Sequence, residues 1–252
     1  MTAETDPPVI VLEQTDSTNT YVRERFDELP DGVLVTAKEQ TAGRGRLGRK
    51  WISPPGVNFC GTFCLKNLAD GFHAGMLCGT ALMRTVEKLL PGYGFYLKWP
   101  NDLYYGKAKV AGLLGEGVIR EGKIAGVAMG IGLNVNMSEE DLARVGQQAL
   151  SLKTVAGREF NLDFITKLLA KSLNECYIIY LNSVDTIFTE WRAANKLIGR
   201  PIAVTDGSGK RYEGIFKDVM PSGEMLLEYE EQGCVKVRCC NCGDVSVDKS
   251  FL

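Results

Sequence analysis

Apolar positions first repeat with a short period at residues 9–14, VIVLEQ, whose β-branched content fits a strand. Asp16 and Ser17 stand where helix caps belong, and Tyr21, Val22, Phe26 and Leu29 follow at helical spacing. Asp31-Gly32 makes a turn into a second strand, VLVTA. VNFCGTFCL, residues 57–65, alternates with Val57, Phe59, Gly61, Phe63 and Leu65 on one face, which reads as a strand. A helix is expected over residues 72–90, stopped by Pro91-Gly92. FYLKWPNDLYYGKAKVAGLLGE reads as strand, turn, strand, and KIAGVAMGIGLNVN as a further, glycine-dotted strand. Helices are expected over 161–181 and 186–197. After residue 198 the period changes: short alternating runs are separated by turn signals at Asp206-Gly207, Pro221-Ser222-Gly223 and Gln232-Gly233. That spacing predicts a small antiparallel barrel of about five strands. The chain thus divides into an α/β (α+β) domain over 1–198 and a small all-β domain over 199–252. The second is short enough that it should lean on the first.

With 252 residues, 45% hydrophobic and 24% charged, the chain has the make-up of a soluble globular protein. The start, MTAETDPPVIVLEQTD, has no basic region followed by an apolar one, so no signal peptide is read, and no stretch suits a membrane span. The eight cysteines are scattered, as thiols rather than a disulfide framework, which suggests the cytoplasm. His73 is the only histidine. A site with two histidine ligands is therefore excluded within one chain, a histidine triad is unsupported, and His73 reads as structural. Cys239, Cys240 and Cys242 could hold zinc with Cys234, but their spacing fits no common structural zinc pattern; packing or surface thiols are the plainer reading. No P-loop sequence occurs.

One stretch fits no apolar period. TAGRGRLGRKW, residues 41–51, packs three glycines, three arginines and a lysine into a chain of net charge −2. A solvated loop and an RNA-binding tail are both alternatives. Such tails are usually terminal and repetitive, whereas this strip is internal and flanked by strands. A general nucleic-acid binder needs a broad basic field, while a nucleotide phosphate needs only a local one. Glycine lets backbone N–H groups approach phosphate oxygens, and arginine supplies planar paired donors. Such a composition suits a loop that closes over a ligand. KWPND, residues 98–102, sets a lysine, a tryptophan and a carboxylate at a strand end, and Lys109 follows seven residues after Asp102. Asp102 could hold Mg²⁺, and Lys98 and Lys109 could face phosphate or another carboxylate. A decorated turn is the alternative for KWPND alone. DSTN, residues 16–19, is a third polar cluster, at a strand-to-helix junction.

In order and spacing, DSTN, QTAGRGRLGRKW, KWPNDLY, KVAGLL and GIGLNVN resemble the biotin protein ligase family, along nearly the whole chain. The start of the chain resembles the monofunctional group, without the DNA-binding domain of the ligase-repressors. The resemblance implies a catalytic domain of the class II aminoacyl-tRNA synthetase/biotin ligase fold, with a mixed β-sheet and packed helices, followed by an SH3-like β-barrel. It implies that biotin and MgATP give biotinyl-5′-AMP, and that a lysine of a biotin carboxyl carrier protein then takes the biotinyl group. The family includes dimers that pair through catalytic-domain strands, so a homodimer is allowed; no nucleic acid or membrane partner is expected. Two repelling anions, a carboxylate and a triphosphate, must meet, which calls for cations more than for a general base.

By the same resemblance, Ser17, Thr18, Asn19 and Gln40 line the biotin head-group site. Arg44, with the backbone of Gly43 and Gly45, folds over biotin, and Trp51 packs on the ligand's apolar surface. Arg46 and Arg49 contact phosphates. Lys109 holds the biotin carboxylate against the α-phosphate, and Gly112 and Leu114 shape the tail groove. Lys98, Asn101 and Asp102 serve ATP phosphate and Mg²⁺, and Asn134 lies near adenine or triphosphate. Lys109, Arg46 and Asp102 carry the chemistry. Lipoate ligases, biotin-responsive repressors and RNA-binding proteins are the rival readings.

Overall fold

The computed structural model describes residues 7–68, 70–206 and 208–241, and residues 246–248 as a strand. The elements run β1 (Val9–Thr15), α1 (Thr18–Glu24), β2 (Leu34–Gln40), β3 (Phe59–Leu65), α2 (Gly71–Leu89), β4 (Tyr96–Lys98), β5 (Asp102–Tyr105), β6 (Ala108–Arg120) and β7 (Lys123–Leu133). They continue with α3 (Glu139–Ala143), α4 (Leu152–Ala156), α5 (Leu162–Asn182), α6 (Val184–Ala194), β8 (Pro201–Thr205), β9 (Arg211–Val219), β10 (Met225–Glu231), β11 (Cys234–Cys240) and β12 (Ser246–Asp248).

The first seven strands form one mixed sheet in the order β1-β2-β3-β7-β6-β5-β4. β1 and β2 are parallel, and the other pairs are antiparallel. The two faces of the sheet are covered differently. Phe59, Phe63, Leu65, Leu113, Met129 and Ile131 point to a core built with α2, α5 and α6. Val35, Cys64, Val118 and Ala128 point the other way, onto Val22, Phe26 and Leu29 from α1 and the turn behind it. β3 is therefore buried on both faces, although its alternation alone suggested one. Helix α1 is shorter than the spacing of Tyr21 to Leu29 implied: it ends at Glu24, and Phe26 and Leu29 reach the core from the turns that follow. Ser17 is its N-cap residue but makes no capping hydrogen bond through its side chain. Helix α2 is capped as a helix start should be, Asp70 accepting from the backbone N–H of Phe72 at 2.6 Å and of His73 at 3.0 Å.

Residues 95–116 hold three strands where strand, turn, strand was expected. The apolar run after Pro100 is split by a turn at Gly106, whose φ of 53° suits glycine, so β5 and β6 form their own hairpin. The KWPND stretch thus becomes the β4–β5 turn.

Strands β8–β12 form a five-stranded antiparallel sheet in the order β11-β10-β9-β8-β12. The strand number matches the sequence reading, but among the described residues no pairing joins β11 to β12, so a closed barrel is not seen. Five short strands bury too little by themselves, and this sheet shares the core of the first. Phe216, Val219 and Met225 belong to the same apolar cluster as Leu97 and Trp99. Trp99 meets Phe216 edge-on at 6.3 Å and donates from Nε1 to the Gly223 carbonyl at 3.1 Å. Arg192 of α6 pairs with Asp218 of β9 through two bonds of 2.6 and 2.7 Å. His73 is structural, its Nε2 lying 3.0 Å from the Pro221 carbonyl and its Nδ1 3.3 Å from the Tyr180 hydroxyl. Among the described residues no three potential metal ligands converge; Cys242 lies outside them. No helix among them is long and apolar enough to cross a membrane.

Candidate active site

The face of the sheet covered by α1 is not filled near the middle of β3, β6 and β7. Small residues there, Gly61, Gly112, Gly130 and Gly132, leave a cavity of about 530 Å³, a size suited to a small-molecule ligand. The N-terminus of α1 closes one end, the arginine-glycine strip arches over the floor, and the β4–β5 turn closes the other end.

The α1 end is polar, buried and cross-linked by hydrogen bonds. Ser17, Thr18 and Asn19 are all buried. Gln40 Oε1 accepts from the Thr18 backbone N–H at 2.9 Å and from the Thr18 hydroxyl at 3.1 Å. Thr62, on the face of β3 turned toward α1 and away from α2, α5 and α6, sits 2.8 Å from Thr18 Oγ1 and 2.6 Å from Asn19 Oδ1. Asn19 spends its amide N–H groups on the Leu114 carbonyl at 3.1 Å and on Glu116 at 2.8 Å. With Thr18 donating to Gln40 and Thr62 having one proton, the oxygens of Thr18 and Asn19 keep lone pairs. This end therefore offers acceptors to a ligand bearing N–H groups.

The strip folds back on itself. Arg44 and Lys50 form an antiparallel bridge, Gly45 N–H donates to the Arg49 carbonyl at 2.7 Å, and residues Arg46–Gly48 make one 3₁₀ turn with Gly48 at φ 72°. Trp51 is placed by the tight passage at Gly43, whose carbonyl accepts its N–H at 3.0 Å; a Cβ at Gly43 would stand 2.9 Å from the Trp51 carbonyl. The Trp51 ring lies across Gly132 and Gly112, and its buried Nε1 has no hydrogen-bond partner among the described residues.

At the other end, Lys109 Nζ is 2.6 Å from Asp102 Oδ1 and 5.8 Å from the Trp51 ring centre. Arg46 donates to Asn101 Oδ1 at 3.1 Å, and Asn101 in turn bonds Leu113 of β6 through backbone and amide. The Lys98 ammonium is buried, 4.8 Å over the Tyr104 ring and 3.5 Å from its hydroxyl. Burial first, and then the Asp102 charge, drive the Tyr104 phenol far above its ordinary pKa, so it stays a neutral hydrogen-bonding group. Six cationic side chains line the cavity (Arg44, Arg46, Arg49, Lys50, Lys98 and Lys109), against the lining carboxylates of Asp102 and Asp206 and the Glu116 carboxylate that pairs with Arg44. An acidic chain thus concentrates positive charge at one place, as binding of a polyanion needs.

Most residues singled out from the sequence line this one cavity: Ser17, Thr18, Asn19, Gln40, Arg44, Gly45, Arg46, Arg49, Trp51, Lys98, Asn101, Asp102, Lys109, Gly112 and Leu114. Two do not. Gly43 stands behind Trp51, and Asn134 is buried beyond the end of β7, donating to the Leu150 carbonyl at 3.1 Å. Asn134 also receives Leu152 N–H on its carbonyl, which fixes residues 148–152 beside Lys109. Sequence reasoning missed Thr62, Glu116, Gly130 and Gly132, and missed that Thr205 and Asp206 of the second sheet reach the cavity wall. Glycines two apart on a strand signal a close approach on one face, and Gly130 and Gly132 could have been found that way.

Residues 11–134 match the model of the biotin/lipoate A/B protein ligase family. The bifunctional ligase/repressor BirA of Escherichia coli is 31% identical over 90% of this chain and 71% of its own length. A biotin–(acetyl-CoA-carboxylase) ligase of Paracoccus denitrificans is 31% identical over 86% of this chain and 92% of its own. The chain belongs to the biotin/lipoate A/B protein ligase family, on its biotin protein ligase branch. The solved biotin protein ligase of Aquifex aeolicus, in complex with biotin and ATP, superposes with a TM-score of 0.79 over 96% of this chain and 99% of its own, at 24% identity, and so shares the fold. Within that family the cavity's division into a neutral acceptor end and a cationic end is the feature to be explained.

Proposed function

We propose that the chain activates biotin with MgATP to biotinyl-5′-AMP and transfers the biotinyl group to one lysine of a biotin carboxyl carrier domain, as part of acetyl-CoA carboxylase or a related biotin enzyme. The observation that carries this reading is the position of Lys109, between an uncharged hydrogen-bonding pocket and a cluster of arginines and lysines. A ureido ring has two N–H donors and one carbonyl. Thr18 and Asn19 oxygens take the donors, and a dry pocket penalises any ligand that leaves them unpaired. The aliphatic tail then runs over Gly112, Gly130 and Gly132 beneath Trp51, and brings the carboxylate to Lys109.

In the first step a biotin carboxylate oxygen attacks the α-phosphorus of ATP, the bond to the β-phosphate oxygen breaks, and pyrophosphate leaves. Charge repulsion between the two anions is the main barrier that this site addresses. Lys109, Arg46, Arg49 and Lys98 offset it as preorganised donors in a low-dielectric cavity. MgATP enters as substrate. Asp102 offers the single hard oxygen ligand that magnesium takes beside phosphate and water, and engaging the ion would free Lys109 from its ion pair for the ligand anions. In the second step the neutral lysine amine of the carrier attacks the acyl carbon, AMP leaves, and the amine gives up a proton.

The proposed division is a catalytic unit over 1–198 and an SH3-like barrel over 199–252, the latter supported by five antiparallel strands and by the register shift at Leu226/Leu227 that bends β10. Asp206 and Thr205 bring that unit to the cavity mouth, beside the path of the carrier lysine. The cytoplasm, where thiols stay reduced, suits buried Cys78 and Cys176, which burial drives up, the latter to about 12.

The test is incubation with ATP, Mg²⁺ and either biotin or lipoate, with and without a purified carrier domain. Pyrophosphate release and carrier labelling are expected with biotin alone. Adenylate formation with lipoate but not biotin would overturn the reading, as would a thermal shift with an oligonucleotide and none with biotin.

A further inference from the structure

Glu116 lies at the solvent edge of β6, two residues beyond the groove-lining Leu114. Its carboxylate accepts three different groups: Asn19 Nδ2 at 2.8 Å, Arg44 Nη2 at 3.3 and 3.4 Å on its two oxygens, and Arg23 Nη1 at 3.4 Å. Asn19 belongs to the acceptor pocket at the start of α1. Arg44 is the first arginine of the strip that arches over the cavity and is paired across the strip with Lys50. One carboxylate on the rigid sheet therefore holds both the head-group pocket and the root of the strip.

We infer that Glu116 is a positioning residue that orients the Asn19 amide for head-group recognition and anchors the strip that retains the activated ligand. This rests on the proposed biotin ligase reading. The amide of Asn19 has two possible orientations. Its N–H groups are drawn toward Glu116 and the Leu114 carbonyl, so its oxygen faces Thr62 and the pocket. Without an acceptor at position 116 the amide can turn, and an N–H would then oppose the ligand's N–H. The bonds to Arg44 have a different role. They are partly exposed, with the Glu116 side chain at 24%, and serve to hold the strip's first residue against β6.

The two roles separate by substitution. Glu116→Gln keeps a carbonyl acceptor for Asn19 but removes the charge that draws Arg44 and Arg23. Glu116→Ala removes both. Two quantities are read on each full-length variant after circular dichroism shows it folded: biotin affinity by calorimetry, and the rate at which preformed biotinyl-adenylate escapes, by filter binding with labelled biotin. Glu116→Gln should leave biotin affinity within about threefold and raise the escape rate about five- to tenfold. Glu116→Ala should weaken biotin as well, by about tenfold or more. Combining Glu116→Gln with Arg44→Gln should add little to the escape rate of either single variant, because both break one contact. Escape at the wild-type rate in Glu116→Gln, or single effects that multiply in the double variant, overturns the inference. A wild-type protein that forms no biotinyl-adenylate overturns the ligase reading instead. If Glu116→Ala does not fold, the Gln variant and its double still decide.

Discussion

Gly132→Ala tests the floor of the cavity with a single methyl group. A Cβ at Gly132 would stand 2.5 Å from Trp51 Cζ2 and 2.9 Å from Nε1. Carbon atoms pack at about 3.5–4.0 Å, so the indole must retreat by at least about 1 Å. It has little room to do so downward, because β7 is the central strand between β3 and β6, and Trp51's backbone is tied to Gly43 at 3.0 Å. The ring must lift into the space that the ligand tail would fill, and away from Lys109. Overpacking of this kind costs about 1–3 kcal/mol. Biotin affinity should therefore fall about 5- to 150-fold, at the conversion of about 1.4 kcal/mol per factor of ten. Titration calorimetry gives the affinity, and a thermal melt gives the cost to the fold. Biotin affinity within twofold of wild type, together with a lowered melting temperature, would refute the reasoning: the strain would then lie in the fold and the indole would not bound the ligand site.

Lys109→Ala should lower adenylate formation by about 10²–10³ at saturating biotin and ATP, the usual effect of losing one preorganised donor; a loss under threefold in pyrophosphate release would remove Lys109 from the reaction. Arg46→Gly keeps the acceptor pocket but gives up the bond to Asn101 that ties the strip to the β4–β5 turn. Activated biotin should then escape and label bystander proteins on a streptavidin blot, and a variant that is inactive, or as selective as wild type, counts against a retaining strip. The Arg192 guanidinium, hydrogen-bonded to Asp218, holds that carboxyl below its ordinary value. Its contribution is thus present above the ordinary carboxylate pKa of about 4 and is lost as pH falls through the depressed value. Melts of Asp218→Asn should show a lower plateau near neutral pH and a shallower acid limb than wild type; superimposable acid limbs would mean that the pair does not join α6 to the second sheet in solution.

Local order was legible wherever periodicity and punctuation agreed. α2 and α5 fall within a residue of their expected bounds, because Asp70 and Asn161 cap them and long apolar stripes need a core. The strip, the KWPND turn and DSTN were visible as chemistry because each breaks the apolar period, and a chain keeps such breaks at loops and element ends. Their meeting was expected only through the family resemblance; no local pattern in the sequence showed it. Lys109 touches Asp102 because a β-hairpin reverses the chain between them, at a turn that reads in sequence as a continuous strand. Thr62 and Glu116 sit on ordinary strands, and their importance comes from what α1 and Arg44 place opposite them. Asn134 shows the converse: a polar residue of the GIGLN stretch whose amide donates to the Leu150 carbonyl and does not line the cavity. The second sheet was legible as five short strands, but its attachment through Trp99, Phe216 and Gly223 was not. Residue types and their period are local quantities, set by each side chain's preference for water and by backbone geometry. The cavity depends on which faces of β3, β6 and β7 align across the sheet, and that register is decided only when all the strands bury their apolar sides together.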